Sequence, residues 1–509
     1  MRAGTFLIAA MATLAISGSA YAATVSVICG SSPTALADAI SSNPPGTVFE
    51  LTGFCQETVQ VATSLTLKNH LGTDAFQPFD GILGELVITG PVLVVIDGIT
   101  LEGTPSDAGL PDVLEVNGSA TVIVKNALIT KGQRIGLSVN GATVQVTNTP
   151  ITHNGLANIA GKSDGVSAVG ASLLVGARNS DGTIDKTQGV SVTQNGGNGI
   201  ALFGHSHLTI TAGAIAENGG NQVLVADGSD IQIMGTSVIQ SSAPTMPAPF
   251  VVQAIGGSTV ELFSHSIVNG EGFTGGILIA SGSSLLMNDV KVFTALSTLP
   301  SIEVSGSSNA VMGGGNMIGT FGTFALQIDH GSSFQQIPLA GYYAELLHDT
   351  PNFTPSPDFI FGSALVQEQS QMELGMGTVI DPSIPPVPGN SALSWTVPAG
   401  ACILVQQNSS IRLSGGVSIA GGPPSACALN GGAVSSTIVI QQQSNGFFNL
   451  ANGGVDEIDD GGTVSCVFAG MPNAHVTGKA NITPSSAQPA MIGSLTDALN
   501  ATSPGCLGP

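Results

Sequence analysis

Two stretches of sequence decide the fold: GSATVIVKNALIT, which begins at Gly118, and GATVQVTNTPIT, which begins at Gly141. Each starts with a glycine and a small residue and continues with alternating apolar and polar residues. Alternation with a period of two predicts a half-buried strand, because successive side chains of a strand point to opposite faces. The pattern therefore predicts short strands rather than an amphipathic helix.

The same unit recurs through the middle of the chain. Further glycine anchors begin similar stretches at Gly170, Gly204, Gly228, Gly257, Gly282, Gly306 and Gly331. Neighbouring anchors lie 23 to 34 residues apart, a period typical of a solenoid, in which each repeat buries its apolar face against its neighbours. We therefore expect a parallel β-helix of roughly 11 coils from about residue 47 to about residue 340, a rod near 50 Å long at about 4.8 Å per coil.

Glycine and asparagine have a structural interpretation in such a fold. Glycine supplies the positive φ that a corner between strands requires. Asparagines fall near the predicted corners at Asn126, Asn148, Asn154, Asn218, Asn269 and Asn288. Their amides can bond the backbone of a turn or an asparagine one coil away.

The composition agrees with stacked coils and excludes one class of partner. Only 9% of the 509 residues are charged, against roughly 25% in an average soluble protein. The 11 Lys and Arg against 33 Asp and Glu give a net charge of -22. Nucleic-acid binding is therefore not expected, since phosphate contacts need a basic footprint.

The first residues are typical of a secretory signal peptide. In residues 1–22, Arg2 precedes an apolar run from Phe6 to Ile16, and Ala20-Tyr21-Ala22 is a small-x-small cleavage site. No other stretch approaches the roughly 18 apolar residues of a spanning helix. We therefore expect a secreted bacterial protein, periplasmic, extracellular or on the cell surface, that has no membrane span and is a monomer.

The cysteines indicate disulfides near the two ends of the chain. Six are present: Cys29, Cys55, Cys402, Cys427, Cys466 and Cys506. An even number in an exported chain is typical of disulfide pairing. Pairing in sequence order is one of several possible connectivities.

The N-terminal segment carries a resemblance to a known superfamily. A short amphipathic helix over Thr34–Ser41 precedes a Pro-Gly turn and predicted strands at 48–51, 59–61 and 65–67. This order, with the repeats up to about residue 340, resembles the pectin-lyase-like superfamily. The resemblance implies an all-β, single-stranded, right-handed parallel β-helix with a short N-terminal helical cap. The superfamily includes polysaccharide lyases, hydrolases, epimerases and esterases as well as noncatalytic adhesins, so the fold does not select an activity.

These patterns divide the chain into five segments. They are a signal peptide at 1–22, an N-terminal cap and first coils at 23–103, β-helix repeats at 104–340, an excursion or linker rich in proline and aromatic residues at 341–399, and a disulfide-closed C-terminal β region at 400–509.

A cluster of charge is the first candidate site. Six of the 11 cations fall within 62 residues, at Lys125, Lys131, Arg134, Lys162, Arg178 and Lys186. The stretch also contains His153, Asp164, Asp181 and Asp185. We consider Lys162, Asp164, Arg178, Asp181 and Asp185 as catalytic candidates, with His153 and Lys186 as substrate-binding ones. Cations could hold the carboxylate of an acidic sugar while a carboxylate or a base moves a proton, and paired Asp residues could hydrolyse a glycoside. The alternative is that these are solvated loop charges.

Aromatic residues form a second candidate. Tyr342, Tyr343 and Trp395 supply the Tyr and Trp residues that follow the signal peptide, and sugars often stack on such faces. We consider them substrate-binding candidates. The alternative is local packing of the segment in which they lie.

Two further groups could bind metal ions. His205 and His207 would face the same side of a strand, with Asp227 or Asp230 approaching from the next coil, and His265 lies further along. Asp456, Glu457, Asp459 and Asp460 form a dense acidic run that could bind Ca²⁺, although no calcium motif matches. Solvent-exposed turns are the alternative for both groups, so the cofactor stays unknown.

Catalytic motifs of the resembled superfamily cannot be carried over. The polygalacturonase set N-T-D, D-D, G-H-G and R-I-K is missing, and Gly204-His205-Ser206 echoes only its third element. The pectate-lyase pattern, a strand-end Asp-His with R-x-P-x-x-R, is also not found. Two functions are therefore expected: contact with an extracellular or cell-envelope polysaccharide, with lyase, hydrolase or epimerase activity, or a noncatalytic adhesin-like rod.

Overall fold

The chain forms a parallel β-solenoid. The structure is a computed structural model that describes residues 23–71, 80–104, 111–157, 163–179, 183–240, 249–270, 275–294, 299–320, 324–336, 358–374, 379–380, 403–419, 438–440, 445–458, 463–468 and 474–479. The predicted all-β class and the stacking of parallel strands are confirmed.

Each turn contributes strands to three columns, which we number 1 to 3 in chain order. Column 1 contains Val59–Val61, Leu86–Thr89, Leu114–Asn117, Leu137–Asn140, Val166–Val169, Ile200–Phe203, Val223–Val225, Phe250–Ala254, Gly275–Ile279, Ile302–Val304, Leu326–Ile328, Ala364–Val366, Ile403–Val405 and Ile438–Ile440. Every strand pairs in parallel with the strand one turn away.

Columns 2 and 3 complete each turn. Column 2 contains Thr24–Ile28, Val48–Thr52, Leu65–Asn69, Leu93–Asp97, Thr121–Lys125, Thr143–Thr147, Ser172–Val175, Thr259–Phe263, Ser284–Met287, Asn309–Met312, Ser333–Gln336, Gln371–Leu374 and Thr463–Phe468. Column 3 contains Phe54–Cys55, Gly81–Leu83, Thr100–Glu102, Leu128–Thr130, Ile151–Thr152, Val190–Thr193, Ile267–Gly270, Lys291–Thr294, Met317–Thr320, Phe359–Phe361 and Val379–Ile380.

The remaining elements depart from this regular order. The strands His207–Ala216, Asp230–Gln240 and Ser410–Ile419 each run through both column 2 and column 3. The strand Asn445–Ile458 pairs with Ser410–Ile419, and the strand Ala474–Lys479 pairs with Asn445–Ile458. An antiparallel hairpin of Ala177–Arg178 and Ile184–Asp185 leaves one turn and is followed by the 3₁₀ helix Lys186–Gln188.

Stacked aliphatic side chains form the core. In column 2, Val122 pairs with Val144, Val144 with Leu173, Leu173 with Leu208 and Leu208 with Ile231. All five side chains are buried. Burying a side chain of this size contributes about 1.5–3 kcal/mol, and each one depends on the turns above and below it.

The corners combine positive φ with ladders of polar side chains. Gly118 and Gly141 have φ of 70° and 65°, as the repeat pattern predicts. At the corner before column 2, the serine hydroxyls of several turns each accept a hydrogen bond from the backbone N–H of a serine one turn earlier. Ser258 N–H donates to Ser283 Oγ at 3.1 Å, and Ser283 N–H donates to Ser308 Oγ at 3.2 Å.

Asparagines stack from turn to turn as expected. The Asn154 amide donates to Asn195 Oδ1 at 3.0 Å, and the Asn195 amide donates to Asn218 Oδ1 at 2.9 Å. On an exposed corner, Asn148 donates to Asn126 Oδ1 at 2.9 Å. The bonds among Asn154, Asn195 and Asn218 satisfy buried side-chain groups that have no access to water.

The N-terminal cap contains one short helix and a disulfide. The helix spans Ala35–Ser42, one residue later than expected, and the Glu57 carboxylate accepts from the N–H groups of Leu36 and Ala37 at 2.8 and 3.1 Å. Cys29 and Cys55 form a disulfide, as pairing in sequence order predicts. Cys402, Cys427 and Cys506 lie outside the described residues, and Cys466 lies on the strand Thr463–Phe468.

The columns continue beyond residue 340. Phe359–Phe361 pairs with Met317–Thr320, and Ala364–Val366 pairs with Leu326–Ile328. The five-segment division of the chain stays a prediction. Among the described residues, no helix has the length and apolar composition needed to cross a membrane.

Candidate functional site

Three of the six cations in the predicted charge cluster pair with acids one turn earlier. Lys125 Nζ lies 2.8 Å from Asp97 Oδ2, and Lys131 Nζ lies 2.9 Å from Glu102 Oε1. Arg134 Nε lies 3.7 Å from Asp112 Oδ1. These three cations therefore stabilise the stacking of neighbouring turns.

Asp164 has a buried, structural position. It precedes the column-1 strand Val166–Val169, and its carboxylate accepts from the backbone N–H and the amide of Asn198 at 2.7 and 3.0 Å. Burial raises the pKa of Asp164 to about 6, although the bonds from Asn198 act in the opposite direction. With 1% of its surface exposed, the side chain has no access to a substrate.

The remaining residues of that cluster lie elsewhere. Arg178 and Asp185 are on the hairpin after column 2, where Arg178 contacts Met234 Sδ at 2.9 Å and Asp185 caps the 3₁₀ helix that begins at Lys186. His153 follows column 3 and contacts Thr152 Oγ1 at 2.9 Å. The structure thus brings Arg178, Asp185 and Lys186 together on one protrusion, apart in the fold from Asp164. Lys162 and Asp181 lie outside the described residues.

The other candidates are placed as follows. Tyr342, Tyr343, Trp395, Asp459 and Asp460 lie outside the described residues, while Asp456 and Glu457 lie on the strand Asn445–Ile458. Their proposed roles stay predictions.

The histidines pair with aspartates of the next turn. His207 Nδ1 lies 2.6 Å from Asp230 Oδ2, and His265 Nδ1 lies 2.7 Å from Asp289 Oδ2. His205 has φ of 64° and occupies a corner before the strand that starts at His207, so the two imidazoles do not share a strand face. In the part of the chain that the structure describes, no group of three His, Cys, Asp or Glu side chains is placed to hold a metal ion.

A different cluster assembles on the outer face of column 1, which we call the Glu303 cluster: Glu303, Ser305, Asp329, His330 and Glu368. Glu303 is the central residue of the strand Ile302–Val304 and pairs in register with Gln327 on the next turn. Asp329 and His330 follow the strand Leu326–Ile328, and Glu368 follows Ala364–Val366. Three consecutive turns therefore contribute side chains to one place.

His330 connects the cluster. Its Nδ1 lies 3.0 Å from Asp329 Oδ1 and 3.3 Å from Ser305 Oγ, and its Nε2 lies 2.9 Å from Glu368 Oε2. The imidazole is 61% exposed and Glu368 is 37% exposed, whereas Asp329 is only 4% exposed. The hydrogen bond to Asp329 is the main cause that raises the pKa of His330; burial opposes it, and the charges of Asp329, Glu368 and Glu303 add to the rise.

The carboxyl groups of Glu303 and Asp329 differ in protonation. Burial, followed by the charge of Asp329, raises the pKa of Glu303 to about 7. Burial also acts to raise the pKa of Asp329, but hydrogen bonds from His330, Ser305 and Gln327 outweigh it and the pKa is lowered. Near pH 6, Glu303 therefore keeps a proton while Asp329 is ionised.

The spacing of these carboxyls follows from the register. Glu303 and Asp329 lie on adjacent strands, displaced by two residues along the chain. With strands about 4.8 Å apart and a rise of about 3.3 Å per residue, this register puts their Cα atoms about 8 Å apart. A carboxyl that keeps its proton and a neighbouring carboxylate can divide the roles of acid and base.

One signal for this cluster is present in the sequence. Asp329-His330 directly follows a strand, so the strand-end Asp-His expected to be missing is present, although R-x-P-x-x-R does not accompany it. Glu303 and Glu368 lie far from it in sequence, and only the stacking of turns brings them close. The sequence matches no protein-family model and no curated protein.

Proposed function

We propose that the protein is an exported polysaccharide hydrolase of the pectin-lyase-like superfamily, with the Glu303 cluster as its catalytic site. The observation that carries this proposal is the pairing of a protonated carboxyl, Glu303, with an ionised one, Asp329, on one outer face. When two neighbouring carboxyl groups differ in pKa in this way, the one with the higher pKa can act as an acid and the other remains ionised. The Cys29–Cys55 disulfide agrees with export to an oxidising compartment.

The proposed reaction uses these groups in a defined order. Glu303 donates its proton to the glycosidic oxygen as the bond from that oxygen to the anomeric carbon breaks. The ionised Asp329 is buried beside His330 and does not touch the sugar, but it adds negative charge near the ring, where positive charge develops. Water then adds to the anomeric carbon and returns a proton to Glu303, so the enzyme regains its starting state.

His330 has a positioning role in this scheme. It donates to Asp329 through Nδ1 and holds Glu368 through Nε2. When protonated, it also keeps Asp329 ionised.

The test is the release of reducing ends from a panel of polysaccharides by the full chain. We expect Glu303→Gln to lower the rate at least about 100-fold, the scale of general acid catalysis. The wild-type rate should fall as the pH rises above about 7, because Glu303 then loses its proton.

Glu261→Gln serves as the matched control. Glu261 is a half-buried carboxyl on column 2, next to Gln232 at 2.9 Å, and its substitution makes the same carboxyl-to-amide change on a different face. Equal activity of wild type and Glu303→Gln would contradict the site. No cleavage of any glycan would favour the noncatalytic rod.

A further inference from the structure

Three histidines bridge consecutive turns of the solenoid. Each imidazole lies against a carboxylate of the following turn: His207 Nδ1 is 2.6 Å from Asp230 Oδ2, His265 Nδ1 is 2.7 Å from Asp289 Oδ2, and His330 Nε2 is 2.9 Å from Glu368 Oε2. The backbones of the same pairs of turns are also hydrogen-bonded to each other. The three contacts therefore join turns that already stack, and a change in their strength acts on that stacking.

The surroundings of His207 favour its charged form. The strands stacked beside it are Ser172–Val175 on one side and Asp230–Gln240 and Thr259–Phe263 on the other. Their ionisable side chains are Asp230, which lies opposite His207 in the register, and Glu261 one turn further on. The hydrogen bond to Asp230 raises the pKa of His207; burial opposes the rise, and the charges of Asp230 and Glu261 add to it.

The other two bridges lie at corners between strands. His265 faces Asp289, and Lys291 begins the column-3 strand that follows Asp289. His330 faces Asp329 and the other carboxyls of the Glu303 cluster, and its pKa is raised chiefly by the bond to Asp329. The three imidazoles are 47–83% exposed, so water and salt weaken each pair and one bridge by itself contributes little.

We infer that these bridges make the stacking of the turns respond to pH, so that the turns are held most firmly in mildly acidic surroundings. Acidification turns each bridge from a neutral hydrogen bond into an ion pair, in a chain with only 11 Lys and Arg against 33 Asp and Glu. His207 and His330 bind a proton more tightly in the folded chain than an ordinary histidine does. The added stability is therefore complete below the ordinary histidine pKa of about 6.5 and is lost as the pH rises through the raised pKa of the folded state. The inference does not rest on the proposed hydrolase activity.

A double-mutant cycle on one bridge tests the inference. Urea unfolding of the full chain, followed by circular dichroism, is measured at pH 5 and pH 8.5 for wild type, His207→Gln, Asp230→Asn and the double variant. At pH 5 we expect the pair to favour the folded state by about 1.4-fold to fivefold in the folding equilibrium constant, the range of partly exposed ion pairs. At pH 8.5 this coupling should vanish, and at pH 5 it should shrink in high salt.

A matched control and a direct titration complete the test. In His205→Gln the chain loses an imidazole whose Nδ1 lies 3.3 Å from the Gly228 carbonyl rather than from a carboxylate, so its effect should be the same at both pH values. Titration of the histidine ring protons by NMR on the folded chain should show that Asp230→Asn lowers the pKa of His207 and leaves that of His330 unchanged. Equal coupling at pH 5 and pH 8.5, a pH-dependent effect of His205→Gln as large as that of His207→Gln, or a pKa of His207 that Asp230→Asn does not lower overturns the inference.

Discussion

Asp358 shows how burial changes the chemistry of a single residue. Its carboxylate accepts from the backbone N–H and the amide of Asn316, at 2.8 and 2.9 Å, and also contacts Gln336. Burial raises the pKa of Asp358 to about 7, against the effect of these hydrogen bonds. The side chain is fully enclosed beneath column 3.

A dependence of stability on pH follows from that raised pKa. The folded state favours the protonated form, so the stability it contributes is complete below about pH 4 and is lost as the pH rises through about 7. Over this pH range, the free energy of unfolding of wild type should fall by roughly 2–4 kcal/mol more than that of Asp358→Asn. Urea unfolding of both proteins at several pH values measures it. The exposed Asp38→Asn serves as control, and parallel pH curves for wild type and Asp358→Asn would refute the expectation.

Asp164 and Glu303 mark the limit of residue-scale prediction. Asp164 lies among clustered charges in the sequence, yet it is bound to Asn198 inside a corner. Glu303 stands alone in its stretch of sequence, yet it faces Asp329 and His330 across neighbouring turns. Neighbours along the chain do not decide which carboxyl is accessible, because each turn places residues about 25 positions apart in contact.

At the scale of the element, polar ladders hold each corner to the next. Asn195 accepts from the backbone N–H and the amide of Asn154, and it donates to Asn218 and to the Ile151 carbonyl at 3.2 Å. All three asparagines are buried. Asparagines near corners are readable in the sequence, and their stacking follows from the period of the turns.

Removing one member of the ladder should therefore be costly. Asn195→Ala leaves the buried backbone N–H of Asn154 without its acceptor, whereas the Asn154 amide keeps the Ile129 and Thr152 carbonyls. A buried group left unpaired costs about 1–3 kcal/mol, so we expect a loss of that size in unfolding free energy. Asn309→Ala, at an exposed strand position, should change it by less than about 0.5 kcal/mol. A loss no larger for Asn195→Ala than for Asn309→Ala would show that the ladder is dispensable.

The serine ladder has no comparable signal in the sequence. Serine stands directly before the column-2 strand at Ser283, Ser308 and Ser332, where each hydroxyl accepts from a backbone N–H of the preceding turn. In the repeat alone, these residues read only as small residues beside glycine. Their role depends on a partner about 25 residues away, which becomes visible only once the turns are in register.

At the scale of the whole molecule, the stacked turns give stability a nearest-neighbour character. Cys29 and Cys55 join the first column-2 strand to the first column-3 strand, across a separation of 26 residues. In the chain-entropy model, a loop of this length is worth about 3.5 kcal/mol. Turns near the middle of the solenoid do not touch this bond.

Loss of the disulfide should therefore act locally. For Cys29→Ser/Cys55→Ser we expect faster hydrogen exchange in Thr24–Ile28, Val48–Thr52 and Leu65–Asn69, with protection in Asp230–Gln240 unchanged. Mass-spectrometric exchange of the intact and substituted chains measures this. Uniform loss of protection along the solenoid would mean that the fold opens as a single cooperative unit.

The sequence by itself determined the architecture: alternating apolar residues on a period near 25 dictate stacked strands, and glycines such as Gly118 and Gly141 dictate the corners. It also predicted the N-terminal helix to within one residue, whereas the pairing of Cys29 with Cys55 was one of several connectivities that it left open. Only the tertiary structure decided which charges meet. A period-two strand shows which side chains face outward, whereas the register between turns sets which outward carboxyl lies beside which imidazole. For this reason the repeat predicted the solenoid, and the stacking of three turns assembled Glu303, Asp329, His330 and Glu368.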